Sequence, residues 1–272
     1  MPEIAEVRVV AKALKKNLIG KKIENIKILY SRIVEGDGKK FVDALEGCTF
    51  KDIRTSGKWL IFDLGKYSIL SHLRMEGKYF FVERSKEIEK HTHVVFELGD
   101  GNDLRYNDVR KFGRMVLTES DKVGESPHIK KLGIEPDDAR LTVEYLLEKF
   151  SNKENPIKTV LLDQSIINGL GNIYANEVLF ACGISPFRKA KDITKKEAEL
   201  IIKNSKRIVL KSVEVGGGTI RSYTSSLGVI GHYQDYLLVH GKKGEPCSKC
   251  GSPIEKGQLD GRSIYFCGKC QK

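Results

Sequence analysis

Residues 245–270 read EPCSKCGSPIEKGQLDGRSIYFCGKC, which places Cys247, Cys250, Cys267 and Cys270 in the spacing C-x2-C-x16-C-x2-C. Two thiolate pairs at that separation can close a tetrahedral site around one zinc ion. No coordination position is then left for a substrate, so the metal is structural. The other two cysteines, Cys48 and Cys182, stand alone, and both pairs sit among glycine and proline turns. A ribbon this small folds only around its metal. Such ribbons commonly contact nucleic acid, but the pattern by itself names no reaction.

Composition points the same way. The chain has 272 residues, with 47 Lys and Arg against 36 Asp and Glu, a formal net charge of +11 that suits a surface neutralising phosphates. Solubility alone would account for that charge equally well. The length exceeds the usual single domain, so two separate cores plus the zinc appendage are expected. No apolar run approaches the ~18 residues of a membrane span, and the first residues lack the blocks of a signal peptide. Zinc thiolates and unpaired cysteines fit a reducing compartment, so the expected location is cytoplasmic, with no membrane partner.

From Glu3 to about Leu18 the apolar residues Ile4, Val7, Val10, Ala11, Leu14 and Leu18 recur at helical spacing, and Gly20 supplies a stop. From Lys21 to Leu117 the pattern changes to short β-branched and aromatic runs (KWLIFDL, KYFFV, HVVFEL, GRMVL), the signature of a β-sandwich or barrel. Residues 121–135 carry Gly124, Pro127 and Gly133 without a sustained period and read as an interdomain linker. Helices are then predicted over 142–150, 157–163, 172–181 and 194–215. The last opens with Thr194 and Glu197 in capping-box register and ends at Gly216. Residues 216–231, GGGTIRSYTSSLGVIG, read as a loop, and 232–272 as a β-rich ribbon.

The opposite end of the chain reads MPEIAEVR. Removal of Met1 before the small Pro2 would leave a secondary α-amino group followed at once by the Glu3 carboxyl. An α-amine titrating near ~7.7–8.0 keeps an appreciable neutral fraction at pH 7 and can attack carbon. A proline amine that condenses with a sugar aldehyde carbon gives an iminium that must be cationic, an electron sink for elimination. Equally, Pro2 suits the first turn of a helix and Glu3 suits its dipole.

Taken together, MPEIAEVR, HLRMEGKYFF (72–81), DVRKFG (108–113), GLGNIYANEVLF (169–180) and the four-cysteine ribbon resemble the bacterial formamidopyrimidine-DNA glycosylase family, in the order that family has them and across essentially the whole chain. The resemblance implies an α+β multidomain protein. An N-terminal β-sandwich with a terminal helix would occupy 1–120, the linker 121–135, a helical helix-two-turn-helix domain 136–231 and a zinc ribbon 232–272, with damaged double-stranded DNA held between domains. It implies a nucleoid-associated monomer that excises oxidised purines (8-oxoguanine, formamidopyrimidines) and cuts the strand by β- and δ-elimination.

In that family the residue matching Pro2 attacks C1′ and forms a Schiff base. Glu3 matches the carboxyl that protonates the sugar ring oxygen, Glu6 a supporting carboxylate, and Lys58, in SGKWLIF, a lysine assisting proton transfer. Turning a base out of the stack leaves a hole, and Met75, Arg110 and Phe112 match the wedge residues that fill it, Arg110 facing an orphaned cytosine. Lys158, Asn172 and Arg262 match backbone clamps, with Arg262 also taking part in elimination. His91 and Lys153 match further DNA contacts. The loop 216–231 matches a segment that closes over an everted purine. Ala5 and Arg8 depart from the commoner MPELPEVE, and the charge reversal at Arg8 lies close to the nucleophile and bears on substrate preference. Two rivals stand beside this reading: an oxidised-pyrimidine glycosylase of the endonuclease VIII branch, and a non-enzymatic lesion-binding protein.

Overall fold

The helix expected at the terminus forms as α1 (Ile4–Leu18). It buries the six apolar residues whose spacing announced it, and Gly20 follows at φ 82°. A capping box opens it: the Glu6 carboxylate accepts from the Glu3 amide at 2.9 Å while the Glu3 side chain accepts from the Glu6 amide. The computed structural model describes residues 1–218 and 231–272. The chain divides into two units, one of Met1–Lys130 with Gly216–Gly231 and one of Lys131–Val215 with His232–Lys272.

In the first unit β1 (Ile23–Ile28), β2 (Val34–Glu35), β3 (Asp52–Ser56), β4 (Trp59–Asp63), β5 (Tyr67–His72), β6 (Lys78–Glu83), β7 (Thr92–Leu98), β8 (Asn102–Asn107) and β9 (Arg114–Glu119) build two sheets. Their orders are β1-β7-β8-β6 and β2-β9-β5-β4-β3. Alternate residues of both face a shared core. Phe62 and Met115 from one sheet meet Tyr79, Phe96, Leu104 and Tyr106 from the other, and the Phe62 and Tyr79 rings lie 5.4 Å apart. Each such large side chain taken from water contributes about 1.5–3 kcal/mol. This is the expected sandwich.

Two features depart from the expectations. A helix, α2 (Gly38–Leu45), interrupts the β pattern; Asp37 caps it by accepting from the Lys39 and Lys40 amides, and Phe41 and Leu45 bury its inner face. The stretch expected to be a plain linker is partly fastened to the sandwich, with a 3-10 turn over Ser120–Glu125 and the His128 ring 5.0 Å from that of Trp59.

The second unit holds α3 (Val143–Phe150), α4 (Ile157–Leu161), α5 (Asn172–Cys182) and α6 (Lys195–Glu214). The Thr194–Glu197 capping box is present as read. α5 is buried from Tyr174 through Phe180, which makes it the central helix. Between α4 and α5 the Gln164 side chain ties two turns together, donating to the Leu162 and Leu170 carbonyls and accepting from the Gly169 amide. The expected β-rich ribbon is shorter than 232–272. Its strands are β10 (Glu255–Leu259) and β11 (Arg262–Phe266), while Tyr233–Tyr236 is a 3-10 turn. The segment before the ribbon is held by a different device. The buried Glu177 carboxylate of α5 accepts from the Leu238, Val239 and His240 amides at 2.9, 3.0 and 2.8 Å. Among the described residues no helix is long and apolar enough to cross a membrane.

Candidate active site

Strand register collects one group of candidate residues at a single end of the sandwich. Trp59 pairs with His72 and His72 with Arg114 in one sheet; Lys78 pairs with Asn107 and Asn107 with Thr92 in the other. Two of the chain's crossings between the sheets at this end run over 73–77 and over 108–113, and the paired residues fix where each of them begins and ends. Met75 lies on the first crossing and Arg110 and Phe112 on the second. All three are exposed, Met75 at 38% and Phe112 at 54%, and the Arg110 guanidinium stands 4.8 Å from the Phe112 ring centre. Val109 beside them is exposed as well, at 57%, so the second crossing leaves two apolar side chains and an arginine in water.

Buried acceptors hold these crossings. Asp108 has no exposure; its Oδ1 accepts from the Arg110 amide at 2.9 Å and its Oδ2 from the Phe112 and Gly113 amides at 2.9 and 2.7 Å. His72 Nδ1 accepts from the Arg74 amide at 2.9 Å. Burial, with the Arg74 and Lys58 cations next, pushes the His72 pKa down to about 3, so the ring is neutral and its Nδ1 is a competent acceptor. Arg74 and Lys111 take positive φ, 53° and 58°, a strained conformation that such anchoring sustains. His91, also at positive φ (73°) and half-buried, receives the Asp108 amide on its carbonyl.

Lys58 lies in the two-residue turn between β3 and β4 and is buried at 6% exposure, unlike a common surface lysine. Glu3 and Glu6 are buried as well, and Pro2 lies buried behind an exposed Met1. The terminal amine, carried here by Met1, stands in for the amine that Pro2 would carry one residue along. Burial lowers its pKa, Glu3 and Glu6 act to raise it, and Lys58 lowers it further. All four groups are therefore within electrostatic reach of one another. The second Glu6 oxygen accepts from the Gly218 amide at 2.8 Å, so Glu6 ties the helix start to the beginning of the loop 216–231; residues 219–230 of that loop lie outside the described residues.

The second unit brings together Lys158, Asn172 and the ribbon. The Lys158 ammonium, at 1% exposure, donates to Asn172 Oδ1 at 2.8 Å and to the Ser263 carbonyl at 2.9 Å, and Asn172 Nδ2 donates to the same carbonyl at 3.0 Å. Arg262, beside Ser263, is exposed at the start of β11, after the Asp260–Gly261 turn. Lys153 is an exposed lysine after α3, and none of the interactions above reaches its side chain.

The four ribbon sulfurs fit zinc. All lie within 4.8 Å of one another, with Cys247–Cys270 at 3.9 Å and Cys250–Cys267 at 3.5 Å. A tetrahedron with Zn–S bonds of about 2.3 Å has edges of about 3.8 Å. The ribbon is also stitched to α5: Lys249 donates to the Phe180 carbonyl, and Gln271 receives the Cys267 amide while donating to the Ile184 carbonyl.

Sequence reasoning missed Asp108, His72 and Tyr106 as supports of this site. Asp108 and His72 open two of the motifs, and an aspartate ahead of an irregular loop is an Asx-turn signal that could have found the first. Tyr106 carries no local signal, because its role depends on what packs around it.

Comparisons with known proteins agree over the whole length. Residues 1–115 match the formamidopyrimidine-DNA glycosylase N-terminal domain, 132–224 the H2TH domain of the same enzyme, and 244–272 a zinc finger found in FPG and IleRS. The chain is 42% identical to the formamidopyrimidine-DNA glycosylase of Halalkalibacterium halodurans, covering 100% of both. It is 44% identical to that of Bacillus cereus, covering 100% of this chain and 99% of the relative. Among solved structures, Lactococcus lactis Fpg bound to DNA containing an abasic site matches with a TM-score of 0.94 at 37% identity over 99% of both chains. The same protein bound to DNA with an oxidised pyrimidine matches at 0.93 and 36%, over 100% of both. Three consecutive domain matches, identity sustained from end to end and a shared fold place the chain in the formamidopyrimidine-DNA glycosylase family.

Proposed function

We propose that the chain is a base-excision DNA glycosylase with abasic-site lyase activity, removing oxidised purines from duplex DNA inside the cell and acting as a monomer. The observation that supports this is the burial of Pro2 together with Glu3, Glu6 and Lys58 at the start of the chain. An α-amine titrating near ~7.7–8.0 keeps a neutral, nucleophilic fraction at pH 7. With Met1 removed, the Pro2 nitrogen attacks C1′ of the damaged nucleotide and the base leaves. Glu3 delivers a proton to the ring oxygen as the sugar opens, and the cationic iminium accepts the electron pair as the phosphates depart on the 3′ and then the 5′ side. Lys58 serves proton transfer at that sugar.

Met75, Arg110 and Phe112 fill the gap left by the everted base, and His91 contacts the backbone. In the second unit Asn172, at the positive end of α5, and Arg262 grip phosphates. The buried Lys158 supports that grip by fixing Asn172 against the ribbon strand, and Lys153 adds an outer backbone contact. Zinc holds the ribbon that presents Arg262.

Incubation with an 8-oxoguanine:C duplex and borohydride tests the reading. Wild type should form a covalent adduct and Pro2→Gly, which keeps a primary amine, should trap less efficiently; equal trapping removes the special role of the proline, and the absence of any wild-type adduct refutes the reading. Intact-mass measurement should show Met1 removed. Rates on 8-oxoguanine against thymine glycol duplexes separate the purine from the pyrimidine reading, and products with phosphate on both sides of the gap rule out a mere lesion binder.

A further inference from the structure

The two wedge-bearing crossings share one support. Tyr106, fully buried on β8, pairs with Tyr79 on β6 and with Val94 on β7, and its ring lies 5.1 Å from that of Tyr79. Its hydroxyl occupies the space that a Cβ would need at Gly77 and also the space that a Cβ would need at Gly113. Gly77 closes the crossing that carries Met75, and Gly113 closes the one that carries Arg110 and Phe112. The same side chain is therefore wedged between the feet of both.

Two residues beyond Tyr106, the buried Asp108 commits both carboxylate oxygens to three amides of the second crossing. From beneath, the buried His93 meets the Asp108 carbonyl through Nε2 at 2.8 Å, and its ring lies 5.3 Å from Tyr30, over which the Lys111 ammonium sits at 4.8 Å. The Arg110, Phe112 and Gly113 amides are thus tied to Asp108, and Asp108 to His93 of the sandwich. Such tethering is more than a solvent loop needs. It suits a segment that must push against stacked bases without folding back.

We propose that Asp108 and Tyr106 are positioning residues that lock the two crossings into one rigid wedge, so that Met75, Arg110 and Phe112 advance into the base stack as a unit. The proposal rests on the wedge role given above. Its energetic logic is direct: eversion of a base costs a few kcal/mol, and a wedge that yields recovers less of that cost. Chemistry on a sugar that carries no base needs no such push.

The experiment compares two substrates. Excision from an 8-oxoguanine:C duplex requires eversion of a base; cleavage of a preformed abasic site in single-stranded DNA does not. Asp108→Asn keeps the shape but sets an amide NH2 against backbone donors. It should slow duplex excision about tenfold to a hundredfold while changing abasic-site cleavage by less than about twofold. Tyr106→Phe, which removes only the hydroxyl, should show the same split at roughly three- to tenfold, and it decides the matter alone should Asp108→Asn not fold. The fluorescence of a 2-aminopurine placed beside the lesion should rise more slowly in both variants. Duplex excision within about twofold of wild type, or an equal loss on both substrates, overturns the proposal. Wild type inactive on both substrates instead refutes the glycosylase reading itself.

Discussion

Glu177 offers the sharpest test of how the second unit holds its ribbon. Its carboxylate is buried on α5 and accepts three backbone amides, Leu238 on Oε2 and Val239 and His240 on Oε1. In Glu177→Gln the remaining oxygen can keep the Val239 and His240 amides, but the new NH2 faces the Leu238 amide, donor against donor. One charge-assisted bond is lost and two become neutral, a sum of about 2.5–7 kcal/mol at about 1.5–3 kcal/mol for each charged bond and about 1 for each neutral one. Burial opposes the charge strongly enough to raise the Glu177 pKa despite the three amides, so removing the charge recovers part of that sum. A net loss of about 2 kcal/mol remains, which for a unit of roughly 130 residues lowers Tm by about 8 °C. Because residues 238–240 lead directly into the first cysteine pair, zinc should also pass faster to a colorimetric chelator. Calorimetry and chelator kinetics on the same sample read both effects. A melting point within about 2 °C of wild type, with unchanged zinc release, would refute the reasoning.

Removing zinc with a chelator should loosen β11, take the Ser263 carbonyl from Lys158 and Asn172, and weaken DNA binding, while borohydride trapping at saturating abasic DNA persists; gel shift and trapping assays read the two separately. His72 has its folded pKa pushed down to about 3, so the unfolded chain takes up its proton first: stability is whole above about pH 6.5 and falls as pH drops from there toward 3. At pH 5 that loss is about 2 kcal/mol, and urea melts of His72→Gln at pH 7.5 and 5 should show a correspondingly shallower decline. A Cβ on Gly231 would collide with the Gly217 carbonyl, so Gly231→Ala should displace the segment whose Gly218 amide meets Glu6 and slow base excision more than abasic-site cleavage.

Local signals were legible in the sequence where local physics decides. The apolar spacing of α1 and the Thr194–Glu197 box translate directly into a buried face and a paired cap. α2 escaped because eight residues give two turns, too few for a period to stand out from neighbouring strands; its Asp37 cap was the available clue. The Pro2 amine and the Glu3 carboxyl can be read from the terminus, but Lys58 is identified only through resemblance, since nothing in the spacing of residues 3 and 58 places them near the same amine. Lys158 shows the limit most clearly. Its residue type predicts a solvated charge, yet its ammonium is enclosed by a helix start 14 residues on and a strand carbonyl 105 residues on. Burial of that kind is set by tertiary contacts, and no window of sequence contains it.

Register is what turns scattered motifs into a tool. HLRMEG and DVRKFG are about thirty residues apart, and neither contains a reason to lie beside the other. The reason lies in the two ladders, where His72 meets Arg114 and Lys78 meets Asn107, so the strand ends on both sides of each crossing are paired with those of its neighbour. A slip of one residue of β8 in its ladder would turn Tyr106 outward and remove the support under Gly77 and Gly113 at once, because side chains alternate between faces. The core that enforces the register, Phe62 against Tyr79 and Tyr79 against Tyr106, is therefore the same structure that aims Met75, Arg110 and Phe112. Stability and function share residues here: an alanine at Tyr79 should lower the melting point and blunt the wedge in the same measurement series, whereas one at exposed Phe112 should blunt the wedge alone.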